Sequence, residues 1–212
     1  MSAGLNGQEP PDTGTGWRHL IHEARVALTV TLLLALLAGV LFPALVLGIG
    51  QVAFPAQADG SLLRNADRQV IGSKLIGQRF SGPEYFHGRP SAAGADGYDA
   101  ANSSGLNLGP TNEKFAETLR ERARAYRKEN SLTDDVDLPA DAVTTSASGL
   151  DPHISAANAY LQAARVAATR GLPEAVVRDL VRDHVDGRVL GFFGEPRVNV
   201  LRLNLALDEA DQ

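Results

Sequence analysis

From Val26 to Ile49 the chain is one uninterrupted apolar run, and no charged residue stands between Arg25 and Asp59. A helix needs roughly 20 apolar residues to cross the hydrocarbon core of a bilayer, and this run is longer. In lipid a backbone must satisfy its own hydrogen bonds, so the run has one simple form, a spanning helix. Thr29 and Thr31 are its only hydroxyl residues, and each can bond back to the preceding turn. Pro43 removes a backbone donor, which a spanning helix tolerates when neighbours re-satisfy the freed carbonyl. Ala35, Gly39 and Pro43 mark the expected packing face, because small residues let a second helix approach closely. The rival reading is a cleaved signal peptide, with Ala56-Gln57-Ala58 as its cleavage site. A signal h-region is only about 7–15 residues, so the length favours an uncleaved anchor.

The remainder of the chain is polar and mixed in charge. We read residues 1–25 as a partly disordered tail, 26–49 as the transmembrane helix, and 50–212 as one folded domain, with a slight lean towards a cytoplasmic tail and an extracytoplasmic domain. That domain is long enough for one core and short for two. Arg18 and Arg25 before the run nearly balance Arg64 and Arg68 after it, so charge alone leaves the orientation weakly marked. The chain has no cysteine, which fits an oxidising compartment without requiring one. From Gly50 onward there are 18 Lys+Arg and 22 Asp+Glu, a balance of −4. No basic stripe is present, and nucleic-acid binding needs one, so membrane lipid is expected as a neighbour and nucleic acid is not.

The pattern of the domain is α/β, or α+β. Asn112 to Glu129 places Phe115, Leu119, Ala123 and Tyr126 on one helical stripe. Val143-Thr144-Thr145 reads as a short strand. Asp151 as N-cap and Pro152 at the first helical position mark a helix start, and Gly171 after Arg170 marks its stop. A further helix opens at Pro173 and is closed by Gly187. Leu201, Leu203, Leu205 and Leu207 alternate with Arg202, Asn204 and Ala206, which predicts a strand. Residues 81–110 are rich in Gly, Ser, Pro, Asn and Asp, yet hold Tyr85, Phe86 and Tyr98. Those aromatics predict an ordered loop.

Most enzymatic motifs fail on spacing. Gly72-Ser73-Lys74-Leu75-Ile76-Gly77 opens like a phosphate loop, but Gln78-Arg79 stands where Lys-Ser/Thr is required. There is no G-x-S-x-G elbow and no H-E-x-x-H helix. A hydrolase set can be drawn from Asp151, His153 and one of Ser91, Ser148 or Ser155, but such parts are generic. A metal set from His87, His153, Asp151 and Glu195 lacks ligand spacing, so no metal is expected. Tyr85-Phe86-His87-Gly88-Arg89-Pro90 has the composition of a protein interface, where aromatics and Arg are enriched.

Taken in order, several stretches resemble the C subunit of the bacterial Kdp potassium-transporting ATPase. They are Gly72 to Gln78, Tyr85 to Ala92, Tyr98-Asp99-Ala100, Asn107-Leu108-Gly109-Pro110, Ser148 to Ser155, Gly194 to Leu201, and Asn204 to Asp208. The resemblance runs from the anchor nearly to the C-terminus. Ser103-Ser104-Gly105-Leu106 departs from it, since the family usually has Ser-Gly-Gly-Ser there. The resemblance implies a non-catalytic accessory subunit that stabilises assembly and modulates its partners. Those partners are a channel-like A subunit and a P-type ATPase B subunit, with a small single-span subunit as a further candidate. It implies an inner-membrane chain with its tail inside and its domain outside. ATP, Mg and K would be used by the complex, with no cofactor assigned to this chain. Gln78, Tyr85, Phe86, Arg89, Asn107, Asp151, His153, Arg197 and Asn199 are the signature positions it singles out for interface or fold. A membrane-anchored hydrolase or a ligand-binding module is the alternative.

Overall fold

The computed structural model describes residues 15–65 and 68–210. Most of the tail expected to be disordered therefore lies outside the described residues. Contacts divide the chain into two units, ending and beginning at Asp59 and Gly60.

The first unit is the anchor. Helix α1 covers Thr15–Leu36, a π-helical turn covers Leu37–Leu41, helix α2 covers Phe42–Ala53, and a short α3 covers Pro55–Ala58. The apolar helix spans Gly16–Ala53, 38 residues with none of its most apolar window buried. It thus runs further in both directions than the apolar run itself. From Val26 to Ile49 its faces are apolar all round, as a membrane-spanning helix requires. Thr29 Oγ1 donates to the Arg25 carbonyl at 2.8 Å, the back-bond expected of a hydroxyl in hydrocarbon. The π-turn has a local cause. Pro43 brings no N–H, and its ring crowds the carbonyl one turn back. The helix widens there, and the Phe42 N–H reaches the Leu37 carbonyl. A side chain added at Gly39 would meet no atom within 4 Å, so the face with Ala35 and Gly39 is open to a neighbour.

The second unit is a small mixed domain. Strands β1 (Leu62–Arg64) and β2 (Val70–Ser73) pair antiparallel. Strands β3 (His153–Ser155), β4 (Val185–Asp186) and β5 (Arg197–Asn199) form an antiparallel sheet in the order β3-β5-β4. Around it stand α4 (Glu113–Glu129), α5 (Ala140–Val143), α6 (Ala156–Arg170), α7 (Glu174–Asp183) and α8 (Val200–Ala210). Val198 at the sheet centre pairs with Ile154 on one side and Val185 on the other. With Phe86, Val166, Val177, Val181, Leu203 and Leu207 they make the core.

Helix α4 starts as expected: the Asn112 side chain accepts from the Phe115 N–H, and Arg127 and Lys128 sit in the last turn, where the dipole favours cations. Helix α6 ends at Gly171 with φ of +69°, a left-handed stop that glycine adopts freely. Four expectations are corrected. The helix after Pro173 ends at Asp183 and not at Gly187, because Val185 and Asp186 pair with β5. Asp151 and Pro152 do not open α6. Residues 153–155 are drawn into β3 by pairing with β5, and Ser155 becomes the cap, accepting from the Asn158 N–H at 3.1 Å. Val143-Thr144-Thr145 is not a strand. Val143 ends α5, and Thr144 Oγ1 bonds back to the Ala140 carbonyl. The C-terminal leucine run is not a strand beyond Asn199. Val200, Leu203, Asn204 and Leu207 are all buried, and their spacing is a helical stripe that the period-two reading overlooked. The Asn199 side chain caps that helix, accepting from the Arg202 N–H at 3.1 Å.

Candidate functional site

The loop between β2 and α4 is long and irregular, and its backbone groups must be satisfied by something other than secondary structure. Two buried amides do this. Asn204 of α8 accepts from the Phe86 N–H at 2.8 Å and donates to the Phe86 carbonyl at 2.9 Å. Gln162 of α6 does the same for His87, at 2.7 and 3.1 Å. Each side chain imitates a strand partner for one residue. Both amides are 1 % exposed, and Phe86 between the two helices is wholly buried. The amides are held in turn. Gln162 donates to Asn158, which also receives the Tyr126 hydroxyl and donates to Asp141. Burial, with Asp141 close by, raises the Tyr126 phenol well above its ordinary value, so it remains a donor.

Two arginines of α6 extend the grip. Arg165 donates to the carbonyls of Pro83 and Tyr85, and Arg170 donates to the carbonyl of Glu84 and to Asp208. The Arg170 guanidinium lies 4.9 Å from the centre of the Tyr85 ring, a cation–π contact. His87 bridges Glu129 at 2.8 Å and the Gly82 carbonyl at 2.9 Å. The hydrogen bond from His87 holds the Glu129 carboxyl below its usual range despite partial burial.

Arg89 carries the loop to the other side of the domain. Its guanidinium donates to the Thr144 hydroxyl and the Thr145 carbonyl, both at 3.2 Å, and pairs with Asp151 at 3.3 Å. Asp151 accepts from the His153 N–H at 3.0 Å and lies 3.3 Å from its ring. Burial pushes the Asp151 carboxyl up, but the His153 hydrogen bonds and the charges of His153 and Arg89 outweigh it, leaving the value lowered. The Tyr98 hydroxyl donates to the Arg89 carbonyl at 2.6 Å, and burial pushes that phenol up to about 12. Gly77 fits against this knot: a Cβ there would lie 2.6 Å from the Asp151 carbonyl and 2.7 Å from the Tyr98 ring.

Of the signature positions, Arg89, Asp151, His153 and Arg197 line one open cleft of about 500 Å³, with Asp141 and Glu195 beside them. Gln78 and Asn199 serve the β2 side instead. Gln78 donates to the Ile71 carbonyl and Asn199 to the Lys74 carbonyl, at 3.0 and 2.8 Å. Tyr85 and Phe86 belong to the grip of α6 and α8. Asn107 is exposed, with φ of +51°. The serines weighed as nucleophiles are engaged elsewhere. Ser91 Oγ donates to the Gly149 carbonyl, Ser155 Oγ to Asp141, and Ser148 Oγ accepts from the Leu150 N–H. Asn158, Gln162, Arg165 and Asn204, which organise the loop, were not foreseen. For Asn158, Gln162 and Arg165 the sequence signal is polarity within a helical pattern, and Asn204 stands only as the start of a stretch that carries the resemblance.

Fold and site together define a single-span membrane protein whose small α/β domain clamps an irregular loop with two buried amides, Gln162 and Asn204. Residues 24–209 match the family model described as KdpC, the K+-transporting ATPase c chain. The chain is 58 % identical over 182 residues to the potassium-transporting ATPase KdpC subunit of Mycobacterium tuberculosis (strain H37Rv), covering 86 % of this chain and 95 % of that one. It is 56 % identical over 189 residues to the same subunit of Caulobacter vibrioides (strain NA1000), covering 89 and 94 %. For Nitratidesulfovibrio vulgaris the identity is 58 % over 184 residues, covering 87 and 92 %. The chain belongs to the KdpC family, the accessory subunit of the Kdp potassium-transporting ATPase.

Proposed function

We propose that this chain acts without catalysis of its own, stabilising an ATP-driven potassium-uptake complex and adjusting its cycle. Its partners are the channel-like A subunit and the P-type ATPase B subunit, which use K, ATP and Mg; a small single-span subunit is a further candidate. The tail faces the cytoplasm and the domain faces outward, over the mouth of the channel-like partner. The observation that carries this reading is the use of the signature groups. Arg89, Asp151 and His153 bond to one another, and Arg89 also to Thr144 and Thr145, so they tie down the loop that we take as a docking surface. A rigid surface can stabilise assembly, and it shifts the pump's equilibrium only if it touches its states differently. Ala35 and Gly39 offer the anchor a close-packing face for a partner helix.

Deleting the chain tests the role. The other subunits should then fail to co-purify, and growth at low potassium should be lost. The purified chain alone should hydrolyse neither ATP nor esters. An intact, active pump without it, or hydrolysis by the chain that His153→Ala abolishes, would overturn the proposal. Orientation is tested with Glu117→Cys in this cysteine-free chain. A membrane-impermeant maleimide should label it in cells with a permeabilised outer envelope and intact inner membrane. Labelling only after the inner membrane is broken would reverse the topology.

A further inference from the structure

Between β4 and β5 a tight turn carries four large apolar side chains outward. Val189, Leu190, Phe192 and Phe193 are 54, 79, 64 and 59 % exposed. Scattered exposed apolar residues are ordinary, but a contiguous cluster marks a binding surface. The turn is well built. Val189 and Phe193 exchange both backbone hydrogen bonds, at 2.9 and 3.0 Å. The two phenylalanine rings lie 4.2 Å apart at their centres. At the tip Leu190 has φ of +54°, a conformation that asparagine or glycine adopts with less strain. A strained leucine whose side chain is largely bare supports little in its own domain, which points to a use outside it. Arg188 and Glu195 close the base with an ion pair of 2.8 Å. The result is an apolar centre with a polar rim, the anatomy of a protein interface.

We propose that this turn is a docking knuckle, and that it inserts into an apolar pocket on another protein subunit of the potassium-transport assembly. The inference rests on the accessory-subunit reading and gives it a specific contact. A protein occupant is favoured over lipid for two reasons. The part of the chain from Gly50 onward is net acidic, −4, and an anionic bilayer surface attracts basic segments instead. The tip also lacks the Trp, Tyr and Lys anchors of membrane interfaces.

The test places the photoreactive analogue benzoylphenylalanine at position 192 of the full-length chain, expressed with the transporter subunits. After illumination, an adduct with a transporter subunit is expected, identified by mass spectrometry. A paired variant, Leu190→Asn, removes the apolar tip and relieves the strain. Its thermal midpoint should be equal or higher, while recovery of partner subunits falls about tenfold or more, as for loss of an interface anchor. A merely structural tip would instead lower the midpoint and leave recovery unchanged, which would overturn the proposal. So would an adduct only with lipid or with a second copy, or no adduct from an intact complex. If the unsubstituted chain itself recovers no transporter subunit, the accessory-subunit reading falls and the knuckle falls with it.

Discussion

Replacing Asn204 by leucine removes an amide and leaves a side chain of nearly the same volume, so no cavity opens. What is lost is the pair of hydrogen bonds, at 2.8 and 2.9 Å, to the backbone of the fully buried Phe86. Leaving one buried polar group without a partner costs about 1–3 kcal/mol. Two such groups, the N–H and the carbonyl, give about 2–6 kcal/mol. A domain of this size has about 5–15 kcal/mol in total, so the loss is a large part of it. Urea unfolding of the segment from Gly60 onward, followed by circular dichroism, measures the change. Hydrogen exchange locates it: the Phe86 and His87 amides should lose protection before the core of α6 does. A loss below about 1 kcal/mol with Phe86 protection unchanged would refute the reasoning, because the loop would then be held by its side chains and not by the amide.

Arg89→Ala removes the bonds to Thr144, Thr145 and Asp151, so it should destabilise the domain by about 1–3 kcal/mol and lower partner recovery as well; a normal urea midpoint would show that the knot is not structural. Gly77→Ala forces a methyl group against the Asp151 carbonyl and the Tyr98 ring and should cost about 1–3 kcal/mol, read from the thermal midpoint; an unchanged midpoint would contradict the close fit. Glu129 has a lowered folded value, so its bond to His87 contributes stability above the ordinary glutamate pKa, and that contribution disappears as pH falls through the folded value. The gap in stability between the parent chain and Glu129→Gln should therefore shrink from about pH 5 downward. Unfolding curves at several pH values check this, and a gap that widens in acid would reverse the assignment.

What the sequence made legible follows from locality. The anchor, the stripe of α4 and the glycine stop of α6 depend on neighbours a few residues away. Strand β3 was misread because a good cap, Asp151, lies next to a proline, and only pairing with β5 pulls those residues out of a helix. The C-terminal run carried two periods at once, and burial against Phe86 and the sheet selects the helical one. Grouping of Arg89, Asp151 and His153 was legible as a set of signature positions, though not as a knot. The amide clamps were not legible at all. Gln162 reaches His87 across 75 residues and Asn204 reaches Phe86 across 118, and no local pattern records such a partner.

The central claim is that this chain works as a part of a pump. The most direct measurement is purification of the full-length protein in mild detergent from potassium-starved native cells, with mass-spectrometric identification of what accompanies it. Recovery of a P-type ATPase and a multi-span channel-like subunit in constant proportion is the predicted result. Recovery of the chain alone, from cells whose potassium pump is expressed and intact, would contradict it.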